Sequence, residues 1–214
     1  MPEAFFIEII KKLEKFYGPP GALRVTDLFE LILWENIAYL ANDKKRETAF
    51  NALKERIGSK PADILSASME ELSAITALGG IMPELRAARL RDAAQMAISD
   101  LDGEVNRILA MHLPKAKKAL KGFPDVGDMG VDRILLFTKT HAIPALESNG
   151  LRAVLRLGIA EEKKNYSVTY RSAQEAILNQ AEPNFDLFIK AYQLCAATGR
   201  SYAREMIRFV KSAR

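Results

Sequence analysis

The sequence predicts an all-α fold. Along nearly all of its 214 residues, apolar side chains recur every three or four positions, which is the period of a helix that buries one face. No stretch alternates apolar and polar residues in the manner of a half-buried strand. The connections between the periodic segments are short, which favours antiparallel neighbouring helices in a compact bundle.

The first three helices are predicted from periodicity and their stop signals. FFIEIIKKLEKFY has Phe5, Ile9, Leu13 and Phe16 along one face, and GPPG ends it. DLFELILWENIAYLA is apolar around most of its circumference, as expected of a central buried helix. KKRETAFNALKERIG is amphipathic and ends at Gly58.

Two of the later helices also have recognisable start signals. SASMEELSAITALGG starts with Ser68 and Glu71 in the spacing of a capping box, and PELRAARLRDAAQMAIS starts with Pro83, which suits a first turn. The remaining helices are predicted in GEVNRILAM, LPKAKKALKG, DMGVDRILLFTKT, ESNGLRAVLRLG, YSVTYRSAQEAILNQ, NFDLFIKAYQLCAATG and SYAREMIRFVKSAR.

Composition restricts the class of protein. The chain is 49% hydrophobic and 27% charged, as is usual for soluble globular proteins. No apolar run approaches the roughly 20 residues that span a bilayer, and the N-terminal segment, with Glu3 and Glu8, is a helix rather than a signal peptide. We therefore expect a cytoplasmic protein with no membrane partner.

Cysteine and histidine usage predicts no metal site and no cofactor. The lone Cys195 excludes an internal disulfide and a cysteine cluster within one chain. His112 and His141 lie far apart without the spacing of metal ligands, and a structural role is expected for both.

A tight turn, KGFPDVGDMG, separates two predicted helices. Pro124 fixes its own φ, Gly127 can adopt a positive φ, and Asp128 is a plausible N-cap of the second helix. Such a helix start exposes backbone N–H groups that suit a phosphate. The net charge of +4 is compatible with a polyanion partner, and four lysines precede the turn, although they could equally form a solvated helix face: Lys115, Lys117, Lys118 and Lys121.

Four segments follow one another between about residues 26 and 158: DLFELILWENIAYLANDKKRETAFNAL, ALGGIMPELRAARLRDAAQMA, LKGFPDVGDMGVDRILLF and IPALESNGLRAVLRLG. In this order they resemble the helix-hairpin-helix (HhH-GPD) DNA glycosylases of the endonuclease III superfamily. The first is similar to the family's first core helices, and the second to its glycine-aromatic segment followed by a basic helix. LKGFPDVGDMGVDRILLF stands where the family has a Leu-Pro-Gly-Val-Gly hairpin. IPALESNGLRAVLRLG stands where it has an aspartate, a spacer, and then Arg and Arg-Leu-Gly.

The resemblance implies a two-lobed fold that holds double-stranded DNA in the cleft between the lobes and flips out a damaged or mispaired base. Residues 24–141 would form a central helical barrel lobe ending in the hairpin, and residues 1–23 with 142–214 the second lobe. The family usually acts as a monomer. In a bacterial-type cell, such a protein would be cytoplasmic and associated with the nucleoid. The residues expected to bind DNA are Lys121, Gly122, Phe123, Pro124, Val126, Gly127, Met129 and Gly130.

Two departures from the family concern the Schiff-base lysine and the iron–sulfur cluster. Bifunctional members have a lysine after the hairpin that forms a Schiff base, and Met129 stands at that position. Lys121 and Lys139 are near in sequence, but nothing places either amine at the sugar, so we expect water as the nucleophile and no efficient lyase activity. Many members also end in four cysteines that ligate an iron–sulfur cluster; AYQLCAATGRSYARE keeps one, and no cluster is expected.

A third departure is at the catalytic carboxylate. Glu147 aligns with the family's aspartate, with an arm one methylene longer, and Ser148 or Asn149 could hold it or a water. The alternative is that Glu147 is a surface or N-cap-like residue at the start of SNGLRAVL.

A fourth departure places acidic residues in the phosphate-binding turn. Asp125 replaces a glycine and Asp128 a neutral or basic residue. Aspartate tolerates the left-handed region, but its charge is unfavourable near phosphate unless the neighbouring lysines offset it.

The helix LILWENIAYLAND supplies candidates for a base pocket, namely Trp34, Glu35, Asn36 and Tyr39. The two aromatic residues could instead belong to the core. Glu35 could read a flipped base or pair with an arginine such as Arg152 or Arg156.

Taken together, the sequence predicts a base-excision-repair protein, a monofunctional DNA glycosylase that hydrolyses the N-glycosidic bond of a damaged or mispaired base. One alternative is an inactive module of the same fold that binds damaged DNA. Another is a protein-interaction scaffold that no longer binds DNA.

Overall fold

The computed structural model describes residues 5–200, which contain eleven α-helices, one 3-10 helix and no strand. This confirms the predicted all-α class. The predicted helix SYAREMIRFVKSAR lies outside the described residues. The helices are α1 Phe5–Tyr17, α2 Leu28–Asn36, α3 Asp43–Arg56, α4 Pro61–Ser66, α5 Met69–Ala77, α6 Pro83–Leu101, the 3-10 helix Val105–Ala110, α7 Leu113–Gly122, α8 Asp128–Phe137, α9 Ser148–Arg156, α10 Tyr166–Leu178 and α11 Phe185–Arg200.

The chain divides into two compact units, which we name the central unit and the terminal unit. The central unit is Arg24–Ile134, and the described part of the terminal unit is residues 5–23 and 135–200. The division falls inside α8 at Ile134, whereas the sequence analysis placed it after residue 141. The C-terminal part of α8 packs with the terminal unit, where the Phe137 ring meets Tyr192 edge-to-face at 5.0 Å.

The central unit is built around α6, which packs against α2, α4 and α5. Its buried face consists largely of alanines, which let the neighbouring helices approach closely. Arg86 is also buried on this helix and is only 1% exposed. Its guanidinium donates to the carbonyls of Ile81 at 2.7 Å, Ile37 at 2.5 Å and Gly80 at 2.8 Å. Arg86 therefore ties the loop after α2 to the loop before α6.

Burial and the nearby charge of Arg46 lower the pKa of Arg86. The three carbonyl acceptors replace water for three of the five N–H donors of this side chain. Gly79 lies beside this network, and a Cβ there would overlap the carbonyl oxygen of Ile37. Gly79, near the end of the predicted helix segment SASMEELSAITALGG, thus allows this close backbone approach.

The terminal unit is built around the contact of α9 with α11, with α1 also packed on α11. A Cβ on Gly199 would overlap the backbone carbonyl of Asn149, so the two helices touch through their backbones at this point. Cys195 is fully buried beside this contact, and burial raises the pKa of its thiol to about 12.

Several predicted elements differ in detail from the observed ones. α2 ends at Asn36, before the predicted end of the apolar segment, and Leu40 beyond it adopts a φ of 48°. The buried face of α1 includes Phe6 and Ile10, while Phe16 is 42% exposed. The short α4 was not predicted, because six residues are too few to show a helical period. Within the described part of the chain, no helix combines the length and apolarity required to cross a membrane.

Candidate nucleic-acid interface and carboxylate site

The turn between α7 and α8 is centred on Pro124 and Asp125. The amide of Val126 donates to the carbonyl of Phe123 at 3.3 Å, and Asp125 has a φ of 57°. Proline followed by a residue of positive φ is the pattern of a type II turn. The positive φ therefore belongs to Asp125, whose tolerance of the left-handed region the sequence analysis noted, and not to Gly127.

The start of α8 also differs from the prediction. The amide of Val131 donates to the carbonyl of Gly127 at 2.9 Å, so Gly127 occupies the N-cap position and Asp128 is the first helical residue. Asp128 is therefore not the N-cap, and its carboxylate forms an ion pair with Lys121. No atom lies within 4 Å of the place where a Cβ on Gly127 would sit, which leaves the backbone here open to a close approach.

Both aspartates of the turn are paired with cations of the central unit. Asp125 accepts from Arg89 of α6 at 2.8 Å, as Asp128 does from Lys121. Lys117 pairs with the buried Asp132 at 2.7 Å. The lysine face of α7 is thus partly committed to intramolecular ion pairs, while Lys115 and Lys118 are exposed.

The predicted DNA-binding residues of the turn differ in what they present to solvent. Phe123 and Val126 are buried, so their side chains are not presented to a ligand. Lys121, Gly122 and Gly127 are exposed. The remaining three, Pro124, Met129 and Gly130, are half-buried.

Trp34 and Tyr39, predicted as pocket residues, lie in different environments. The Trp34 ring packs edge-to-face on Phe50 at 5.2 Å, and the guanidinium of Arg46 lies 5.9 Å from its centroid. Arg46 also donates to the Trp34 carbonyl at 2.6 Å. Tyr39 follows α2, is 45% exposed and forms an isolated backbone bridge with Gly80.

Glu35 and Asn36 connect α2 to the hairpin. Glu35 pairs with an arginine, which is one of the two alternatives left open by the sequence, but the arginine is Arg133 of α8 and not Arg152 or Arg156. Gly130 lies beside this pair, and a Cβ there would lie 3.1 Å from Oε1 of Glu35, a tight contact that the glycine avoids.

Asn36 is 1% exposed and holds the turn itself. Its Nδ2 donates to the carbonyls of Ile32 at 3.0 Å and Pro124 at 2.9 Å. Its position behind the turn was not predicted, because contacts 88 residues apart have no local sequence signal.

Glu147 lies in the terminal unit at the N-cap position of α9, without a side-chain capping bond. Its Oε1 instead accepts from Nδ2 of Asn149 at 3.3 Å and from Nη1 of Arg200 at 3.2 Å. The side chain of Glu147 is 28% exposed. Sequence reasoning found Glu147 and Asn149 but missed Arg200, which lies 53 residues further along the chain.

One other group near this carboxylate, Tyr166, was also missed. Burial, followed by the negative charge of Glu147, raises the pKa of Tyr166, and Arg152 opposes this effect. Lys139, the second lysine that the sequence analysis considered, pairs with Asp186 at 3.1 Å.

A cavity of about 690 Å³ lies elsewhere in the central unit, among α2, α4 and the 3-10 helix. It contains none of the predicted site residues. Charged groups on its wall are paired, as in Glu30 with Lys54 at 2.6 Å and Arg107 with Glu104 at 2.8 Å. We assign it no ligand.

Comparison with known proteins identifies the fold. No family model matches the chain. A curated relative, a thymine/uracil-DNA glycosylase of Pyrobaculum aerophilum, is 30% identical over 105 residues. The match covers 49% of this chain and 42% of that relative, so the chain spans less than half of its length.

Solved structures match over most of the chain. A trapped endonuclease III–DNA covalent intermediate has a TM-score of 0.69 at 16% identity, with 87% of this chain and 81% of that chain covered. An H. pylori 3-methyladenine DNA glycosylase bound to 1,N6-ethenoadenine has a TM-score of 0.67 at 14% identity, with 98% of each chain covered. A thermostable thymine-DNA glycosylase has a TM-score of 0.67 at 12% identity, covering 94% of this chain and 88% of that chain. The chain has the all-α, endonuclease III-like fold of these DNA glycosylases, which confirms the predicted fold.

Proposed function

We propose that this protein is a DNA glycosylase of base-excision repair, which hydrolyses the N-glycosidic bond of a damaged or mispaired base. One observation carries the proposal. Glu147, aligned with the family's catalytic aspartate, is held by Asn149 and Arg200 at the start of α9. The shared fold and the DNA glycosylases among the similar proteins support it.

The proposed chemistry needs a negative charge beside the sugar. The bond between C1′ and the base nitrogen breaks with its electron pair leaving on the base, and positive charge develops on the sugar. A carboxylate about 4 Å away stabilises that charge by roughly 4 kcal/mol at an effective dielectric of 20. Water then adds to C1′ and loses a proton.

The turn between α7 and α8 is proposed to anchor the DNA backbone. Helix starts bind phosphate through their backbone N–H groups, and Gly127 leaves that backbone open. Phe123 and Val126 would then shape the turn from inside, and Asn36 would hold it through Pro124. Tyr39, which follows α2 and is exposed, remains the candidate among the predicted pocket residues for direct contact with a base.

The remaining parts of the proposal concern the partner and its setting. The substrate is double-stranded DNA with a damaged or mispaired base, and the protein acts on it as a monomer in the compartment that holds the genome. It uses water as the nucleophile, because Met129 has no amine to form a Schiff base. Borohydride treatment during turnover is therefore expected to trap no covalent protein–DNA complex, and a trapped complex would contradict this part.

A damaged-DNA-binding module without activity is the second candidate. The acidic turn favours it, because Asp125 and Asp128 place two carboxylates next to the proposed phosphate site. Even when paired, these groups lower the positive potential that attracts DNA.

One experiment separates these candidates. Duplexes containing uracil or thymine opposite guanine, 3-methyladenine or 1,N6-ethenoadenine are incubated with the protein, and abasic sites are measured after alkaline cleavage. A glycosylase produces abasic sites in at least one duplex. A pure binder shifts the labelled duplexes and produces none, and a protein-interaction scaffold binds none of them even at low salt.

A further inference from the structure

The carboxylate of Glu147 is held through one oxygen only. Asn149 and Arg200 both donate to Oε1, at 3.3 Å and 3.2 Å. Within residues 5–200, no hydrogen-bond donor contacts Oε2. The group thus has one anchored oxygen and one that remains open to other contacts.

The position of Arg200 relative to α9 is fixed by backbone packing. The preceding residue, Gly199, lies against the backbone of Asn149 so closely that a Cβ would overlap it. The backbone of α11 next to Arg200 is therefore held at a fixed distance from the start of α9. Its guanidinium is a planar group with several donors, which can hold a carboxylate in a defined orientation.

We propose that Arg200 is a positioning residue for Glu147, one that compensates for the longer glutamate side chain. The proposal rests on the proposed glycosylase function. A glutamate has one more rotatable bond than an aspartate, so its carboxylate loses more conformational freedom when it is fixed. Arg200, together with Asn149, holds Oε1 and directs Oε2 toward the sugar of the substrate.

The charge of Arg200 does not prevent this role. Its side chain is 42% exposed, so solvent screens the guanidinium. The pair consequently fixes an orientation more than it cancels a charge. A displacement of about 1 Å at a reacting group can cost on the order of 100-fold in rate, so such an orientation matters.

The test is base release under single-turnover conditions, at saturating protein, from a duplex that the wild-type chain cleaves. Since Asn149 still holds Oε1, Arg200→Met is expected to lower the rate on the order of 10-fold. Arg200→Lys keeps the charge and one donor and is expected to recover part of the rate. Arg171→Met, which removes an exposed arginine of α10, is the matched control and should have no effect.

A double-mutant cycle shows whether Arg200 acts through Glu147. Glu147→Asp retracts the carboxylate by one methylene, away from Arg200. In that background Arg200→Met is expected to cause no further loss of rate. A merely structural role would lower the rate equally in both backgrounds, which would overturn the proposal.

Binding measurements separate positioning from DNA contact. The Kd for the same duplex should stay within about 2-fold in Arg200→Met, because a positioning residue makes no phosphate contact. A weaker Kd with a salt slope reduced by about 0.9 and an unchanged saturated rate would identify Arg200 as a phosphate contact instead, and would overturn the proposal. If Arg200→Met does not fold, Arg200→Gln takes its place in the cycle. Absence of base release by the wild-type chain would contradict the proposed function before any variant is compared.

Discussion

Arg89 in α6 holds Asp125 in the turn before α8, with 2.8 Å between Nη1 and Oδ2. The pair links the residue of positive φ to the longest described helix of the central unit. It also neutralises one of the two carboxylates that the turn would present to a phosphate. The acidic turn is thus compatible with DNA binding, although it reduces the number of free cations beside it.

The first prediction concerns this pair. Asp125→Asn keeps a residue that tolerates a positive φ but removes the charge and releases Arg89. We expect DNA affinity to increase by about 5-fold, since a unit charge about 4 Å from a phosphate costs roughly 1 kcal/mol in water. Fluorescence anisotropy across a salt series should also show a slope steeper by about 0.9, because Arg89 can now neutralise a phosphate.

The matched control for Asp125→Asn is Asp100→Asn, an exposed aspartate near the other end of α6. It should leave both the affinity and the salt slope nearly unchanged. Equal effects of the two substitutions would mean that only the net charge of the chain matters, and that the turn is not the DNA contact.

The second prediction concerns the bond from Asn36 to Pro124. Asn36→Ala removes a buried side chain that donates to two carbonyls. We expect the free energy of unfolding to fall by about 1–3 kcal/mol, since the carbonyl of Pro124 is left without its donor. Urea denaturation measures this loss.

Asn51→Ala, at an exposed position of α3, is the matched control and should change the free energy of unfolding by less than about 0.5 kcal/mol. If Asn36→Ala is equally harmless, Asn36 does not hold the turn.

The predicted and observed structures agree where the sequence signal is local. Local signals involve only a few adjacent residues, and each is found as predicted. They are the helical period, the Ser68–Glu71 capping box and Pro83 at the start of α6. The family resemblance depends on four segments in order, which also requires no knowledge of tertiary contacts.

The candidate site could be predicted only in part, because its partners come from distant segments. Glu35 pairs with Arg133, 98 residues away, beside Gly130. Arg200 reaches Glu147 through the packing of α11 on α9. Neither contact produces a sequence pattern. The backbone of the turn was predicted in part: Gly127 and Asp125 could both adopt a positive φ by residue type, and only Asp125 does so.

The third prediction concerns the buried thiol. Burial raises the pKa of Cys195 from its ordinary value of 9.0 to about 12. As the pH rises, the thiol of Cys195 therefore loses its proton at a lower pH in the unfolded chain than in the folded protein. The contribution of the neutral, buried thiol to the free energy of unfolding is complete below pH 9.0 and is lost progressively as the pH approaches about 12.

Across that window, the free energy of unfolding of the wild type should fall more steeply than that of Cys195→Ala, by about 1.4 kcal/mol per pH unit. Urea denaturation at a series of pH values measures both slopes, and the variant serves as the control for all other titrating groups. Parallel curves would show that the thiol ionises equally in both states and is not buried as described.

The proposed glycosylase activity depends most on the carboxylate of Glu147 at the start of α9. The direct measurement is the single-turnover rate of base release by Glu147→Gln, beside Glu162→Gln, an exposed glutamate of the same unit. Loss of roughly 4 kcal/mol of charge stabilisation predicts a rate about 1000-fold lower for Glu147→Gln, with the fold and DNA affinity retained. Glu162→Gln should match the wild type. A folded Glu147→Gln protein that releases base at the wild-type rate would contradict the central claim.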